Sequence, residues 1–94
     1  MNIEFSSELS TIRVSGAPSG AFNRRLRAAI ERAAKAGHYA LTIDTTGVDV
    51  LDSASLGQFA DTVRTSRPLG VKLTFRFAER ARRIASIAGL PLAA

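Results

Sequence analysis

The chain has 94 residues, a net charge of +5, 46% hydrophobic and 22% charged residues, and no cysteine. That length and balance fit one small globular domain burying roughly 60–65% of its unfolded surface, and argue against disorder. The missing cysteine excludes disulfides and thiolate metal sites, and no run approaches the ~18 apolar residues of a membrane span.

The opening segments alternate: Ile3-Glu4-Phe5, then Ile12-Arg13-Val14 after Leu9. This predicts an antiparallel hairpin that starts a sheet. Gly16, Pro18 and Gly20 break the pattern and predict a loop, with Ser19 as a candidate cap for the helix that follows. Residues 21–36 carry Phe22, Leu26, Ala29, Ile30 and Ala33 on one face at helical spacing. Gly37 supplies a stop signal. Tyr39 to Asp44 is dense in apolar and β-branched residues and predicts a strand covered on both faces.

Thr45-Thr46-Gly47 reads as a turn, and Val48, Val50 and Leu51 lead into Asp52-Ser53-Ala54-Ser55. This stretch is crowded with residue types that cap helices, and Asp52 and Ser53 can each accept from free N–H groups of a first turn. A second helix is predicted from Ser55 to Ser66, with Leu56, Phe59, Ala60 and Val63 on its apolar face. Pro68 ends it. Val71 to Phe77 alternates and predicts a strand with one polar side, nearer the sheet edge. Glu79 to Ala88 predicts a third helix with Ala81, Ile84, Ala85 and Ala88 inward, stopped by Gly89. Leu90 and Leu92 then fold back on the core. The order β-β-α-β-α-β-α implies a single α/β domain, residues 1–94. Its mixed sheet has an antiparallel N-terminal hairpin and largely parallel remaining strands.

No catalytic constellation emerges, and no metal site or cofactor is expected. His38 stands without a second imidazole or a thiol and reads as a loop residue. Asp44, Asp49 and Asp52 fall at strand ends, where open α/β sheets place ligands. Without a Gly-rich Lys-Ser/Thr loop, capping and turn roles account for them better. Eleven of the thirteen basic residues are arginine, gathered at Arg24, Arg25 and Arg27 and at Arg76, Arg80, Arg82 and Arg83. An anionic partner such as nucleic acid is one reading of them. All five Phe and the single Tyr fit strand or helix cores, which argues for a solvated polar face instead. A soluble, cytoplasmic protein, monomeric or weakly dimeric, is the expectation.

The whole chain resembles the STAS domain family, which includes bacterial anti-sigma factor antagonists. The resemblance rests on Ser15-Gly16 after the hairpin, a strand ending in Asp44, Gly47-Val48, the turn Asp52-Ser53-Ala54-Ser55-Leu56-Gly57, Gly70-Val71-Lys72-Leu73 and the closing Ile84 to Leu90. It implies a non-catalytic interaction module that docks a nucleotide-binding partner, an anti-sigma kinase of the GHKL ATPase type. The implied surface is Asp52, Ser53, Ala54, Ser55, Leu56 and Gly57, with Gln58, Asp61 and Thr62 on the exposed side of the second helix. Family antagonists are phosphorylated on a hydroxyl at the position held here by Ala54, which leaves Ser53 or Ser55 as candidate phosphoacceptors. An alternative branch is the STAS subunit of a phospholipid-transport ABC importer, where a hydroxyl followed by a small residue contacts the ATPase subunit; Ser53-Ala54 suits it.

Overall fold

The computed structural model describes residues 2–17, 22–49 and 51–93. The expected contributions of Pro18, Ser19, Gly20, Ala21 and Val50 lie outside the described residues. Four strands, β1 (Asn2–Ser6), β2 (Thr11–Gly16), β3 (Ala40–Val48) and β4 (Lys72–Arg76), form one sheet in the order β1-β2-β3-β4. β1 pairs antiparallel with β2, and β2, β3 and β4 run parallel. Between them come α1 (Phe22–Lys35), α2 (Ser53–Ser66) and α3 (Glu79–Ile87). The mixed α/β architecture and its element order are those the sequence predicts.

Pairing of Ile12 with Ile43 and of Ile43 with Phe75 puts these side chains on one sheet face, together with Val14, Leu41 and Leu73. All are buried. α1 and α2 cover this face through an aromatic chain: Phe59 meets Phe22 at 5.5 Å, Phe75 at 5.4 Å and Phe77 at 6.1 Å between ring centroids. The opposite face carries Arg13, Thr42, Asp44, Lys72, Thr74 and Arg76, none of them buried. β3 is therefore not covered on both faces. Its hydroxyl side chains pair within the sheet instead, as Thr42 does with Thr74 at 3.3 Å.

β3 also runs further than expected. Thr45-Thr46-Gly47 is strand, not turn: Thr45 is fully buried and donates to the Arg76 carbonyl at 2.8 Å. A register shift between Arg13 and Ser15 brings β2 close at this point, and a Cβ on Gly47 would lie 2.9 Å from the Ser15 Cβ. Only glycine lets the two strands approach so closely.

Gly37 and Gly89 close α1 and α3 as expected, both with positive φ. After α3 the Gly89 N–H donates to Ser86 and the Leu90 N–H to Ala85, which turns buried Leu90 onto the core. Leu92 follows as a bridge beside Phe75, on the outer edge of β4.

Two aromatic placements differ from expectation. Phe5 is 40% and Tyr39 58% exposed, at the end of the sheet where β3 begins. His38 is held by Ser10 at 2.9 Å and by an edge contact with Phe5. α3 is shallower than its pattern predicts, since only Ala85 is buried while Ile84 and Ala88 are exposed.

Candidate docking site at the mouth of the second helix

The parallel strands all exit at one pole, where Asp49 donates its N–H to the Gly16 carbonyl at 3.1 Å. The chain then turns through Leu51 into α2. Asp52 is the N-cap: its extended backbone leaves its carboxylate free to accept from the Ser55 N–H at 2.8 Å, while its carbonyl takes the first helical bond from Leu56. The Ser55 N–H on this carboxylate holds the Asp52 carboxyl below the usual range. Capping falls to Asp52 alone; Ser53 already stands inside the helix.

The cap fixes which side chains face outward. Asp52, Ser53, Ala54 and Gly57 are exposed, whereas Ser55 and Leu56 are buried at 5% and 7% exposure. Of the two candidate phosphoacceptors, only Ser53 presents its hydroxyl at the surface. Gln58 is half-buried, with its side-chain oxygen enclosed and without a donor among the described residues. Thr62 is not on the exposed side as expected. It is 3% exposed, donating to the Gln58 carbonyl at 2.9 Å and meeting Asn23 of α1 at 3.1 Å. Satisfying its hydroxyl on its own helix lets Thr62 face inward at little cost. Asp61 is only partly open and is shared between Arg64 at 3.0 Å and Arg27 at 3.8 Å. The outward surface thus narrows to Ser53, Ala54 and Gly57, rimmed by Asp52 and Asp61.

Gly57 is the unusual member. It lies inside α2 without a positive φ, and a Cβ there would meet nothing within 4 Å. Nothing within the described fold requires a glycine, yet glycine in a helix interior costs about 1 kcal/mol relative to alanine.

The other charged groups lie apart. Asp44 turns onto the open sheet face, beside Arg13 at 3.8 Å, and accepts from the Thr46 N–H at 3.0 Å and hydroxyl at 2.7 Å. Asp49 instead borders a groove against α3. The two aspartates do not converge, and among the described residues no three His, Asp or Glu side chains are grouped to hold a metal. The two arginine clusters do not form one patch: Arg24, Arg25 and Arg27 lie on α1, Arg76 on the open sheet face, and Arg80, Arg82 and Arg83 on α3.

Partial burial pushes the Asp44 carboxyl up, but the Thr46 hydrogen bonds and the Arg13 and Arg76 charges outweigh it, leaving the group below 3.8. A carboxyl whose folded pKa is depressed stabilises the fold above the unfolded value, and that contribution fades as pH falls through the folded pKa. Stability is therefore expected to fall below pH 3.8, and Asp44→Asn to flatten that fall. Urea unfolding at about pH 6 and about pH 3 checks this. An unchanged slope in the variant contradicts it.

A family model described as "Mlab, STAS domain" matches residues 1–91. The chain belongs to the STAS domain family. No curated protein matches the sequence. Among solved structures, one titled "Crystal Structure Analysis of Mglu" is similar with a TM-score of 0.59 and 17% identity over 84% of this chain. The chain spans 20% of that solved chain, and at this identity the likeness shows the fold alone. STAS domains are, as a family, protein-interaction modules. In this STAS domain, no described helix is long and apolar enough to cross a membrane.

The signature turn was legible from the sequence. The α3 side of the same pole was missed, although Arg80, Arg83, Ile84 and Ile87 fall at i, i+3, i+4 and i+7, a visible one-face pattern.

Proposed function

We propose that this STAS domain is a non-catalytic docking module that binds a nucleotide-binding protein through Ser53, Ala54 and Gly57 at the mouth of α2. The observation that carries the reading is Gly57, an exposed glycine inside a helix with no neighbour that a methyl group would touch. A residue that weakens its own helix without serving the fold is accounted for by a partner whose surface comes close to the α2 backbone.

Ala54 holds the position that is phosphorylated in family antagonists and offers no hydroxyl, and Ser55 is buried, which leaves Ser53 as the exposed hydroxyl of the turn. The missing hydroxyl at the family's phosphoacceptor position supports the ATPase subunit of an ABC importer, which needs a contact surface, over an anti-sigma kinase, whose usual target position is Ala54 here. The exposed Ser53-Ala54 pair supplies the hydroxyl and small neighbour such a contact uses.

Co-purification from cells of the source organism, with the ABC ATPase subunit or kinase recovered on the chain identified by mass spectrometry, tests the reading. Ser53→Trp is expected to lower partner recovery at least tenfold with circular dichroism unchanged, and Ser53→Ala, which removes only the hydroxyl, to lower it less. Unchanged recovery with Ser53→Trp removes this surface.

A further inference from the structure

A second surface lies across Leu51 from the α2 mouth. A groove of about 410 Å³ runs between the exit of β3 and α3, with Val48, Leu51, Ala81 and Ile84 among its apolar lining and Asp49 and Arg80 also lining it. Its α3 wall continues outward as the stripe Arg80, Arg83, Ile84 and Ile87, residues that share one helical face. Ile84 is 55% and Ile87 79% exposed. None of Arg80, Arg82 and Arg83 has an ion pair among the described residues. Two large aliphatic side chains beside unpaired arginines are costly to leave in water on a nine-residue helix that buries only Ala85.

We propose that this groove takes an acidic amphipathic helix from a partner protein, its apolar side chains against Ile84, Ile87 and Leu51 and its carboxylates on Arg80 and Arg83. Charge selects the occupant. A second copy of this chain would set the same arginines against each other, and like charges across an interface are costly. Shape disfavours a bilayer, because Val48 is 7% exposed and recessed in a concavity that a flat lipid surface does not fill. A helix in a groove fits, and α3 offers room for two to three turns of a partner helix. The proposal stands independently of the α2 mouth, although one partner spanning Leu51 could engage both.

The test uses the full chain and a labelled synthetic amphipathic peptide of leucine and glutamate, with a leucine and lysine peptide as its counterpart. In fluorescence anisotropy the acidic peptide is expected to bind, with affinity falling as salt rises and at least tenfold with Arg83→Glu or Ile84→Asp. Ser53→Trp is expected to leave this binding intact, which separates the groove from the α2 mouth. Both substituted groove residues are exposed, and circular dichroism verifies the fold. In methyl NMR the Ile84 and Ile87 signals are expected to shift on titration. No binding of the acidic peptide, equal binding of the lysine peptide, or unchanged affinity in both variants would overturn the proposal. So would vesicles of anionic phospholipid that bind the chain and lose it with the same two substitutions.

Discussion

Replacing Gly57 by alanine is expected to stabilise the isolated domain by about 0.5–1 kcal/mol, and replacing it by tryptophan to abolish partner capture. The two outcomes follow from one geometry. The residue lies inside α2 with helix-compatible backbone angles, and the volume a Cβ would take is empty. Alanine there limits the unfolded chain and meets no steric cost. A partner backbone resting on the glycine would meet that methyl group, and an indole would block the approach altogether. Urea unfolding and co-purification read the two effects separately. A Gly57→Ala domain that is less stable, or a Gly57→Trp domain that captures its partner fully, would refute the link between this glycine and docking.

Phe59→Ala is expected to cost about 3–5 kcal/mol, enough to leave much of a domain this size unfolded at 37 °C. Phe59 is fully buried and touches Phe22, Phe75 and Phe77, so it joins α1, α2 and β4 in one aromatic contact. Its removal leaves a cavity where three elements meet, and small domains have little surplus burial to offset it. Thermal melting followed by circular dichroism checks the expectation, with Phe59→Leu losing much less. An alanine variant melting within a degree or two of the parent would show that the core does not depend on this ring. Phe59 is two residues from Gly57, so the core also sets the angle at which the docking surface is presented.

The parts of the fold that were legible in the sequence are those where burial follows apolar periodicity. α1 is the clearest: Phe22, Leu26, Ala29, Ile30 and Ala33 are all buried as their spacing predicts. In α2 the pattern misleads by half. Ser55, Thr62 and Ser66 are buried while Ala60 and Val63 are only partly so. The Thr62 and Ser66 hydroxyls bond to the carbonyls of Gln58 and Val63, both at 2.9 Å, and a polarity scale cannot register that satisfaction. Thr62 was misplaced on the docking surface for this reason.

In β3, Thr45-Thr46-Gly47 has turn composition, and only its pairing with β2 and β4 keeps it extended. The open sheet face was hidden because threonines suit both a covered and a bare strand face. The mouth of α2 was legible because capping chemistry is local: Asp52 sits three residues before the amide it receives. The exposure of Ser53 and the burial of Ser55 needed the helix start, which the structure places at Ser53.

In-cell photocrosslinking tests the docking claim most directly. Benzoylphenylalanine placed at Asp61, at the rim of the α2 surface, is compared with the same residue at Tyr39, at the opposite pole. The account predicts that Asp61 traps a nucleotide-binding protein and that Tyr39 does not. Trapping of that protein only from Tyr39 would contradict it.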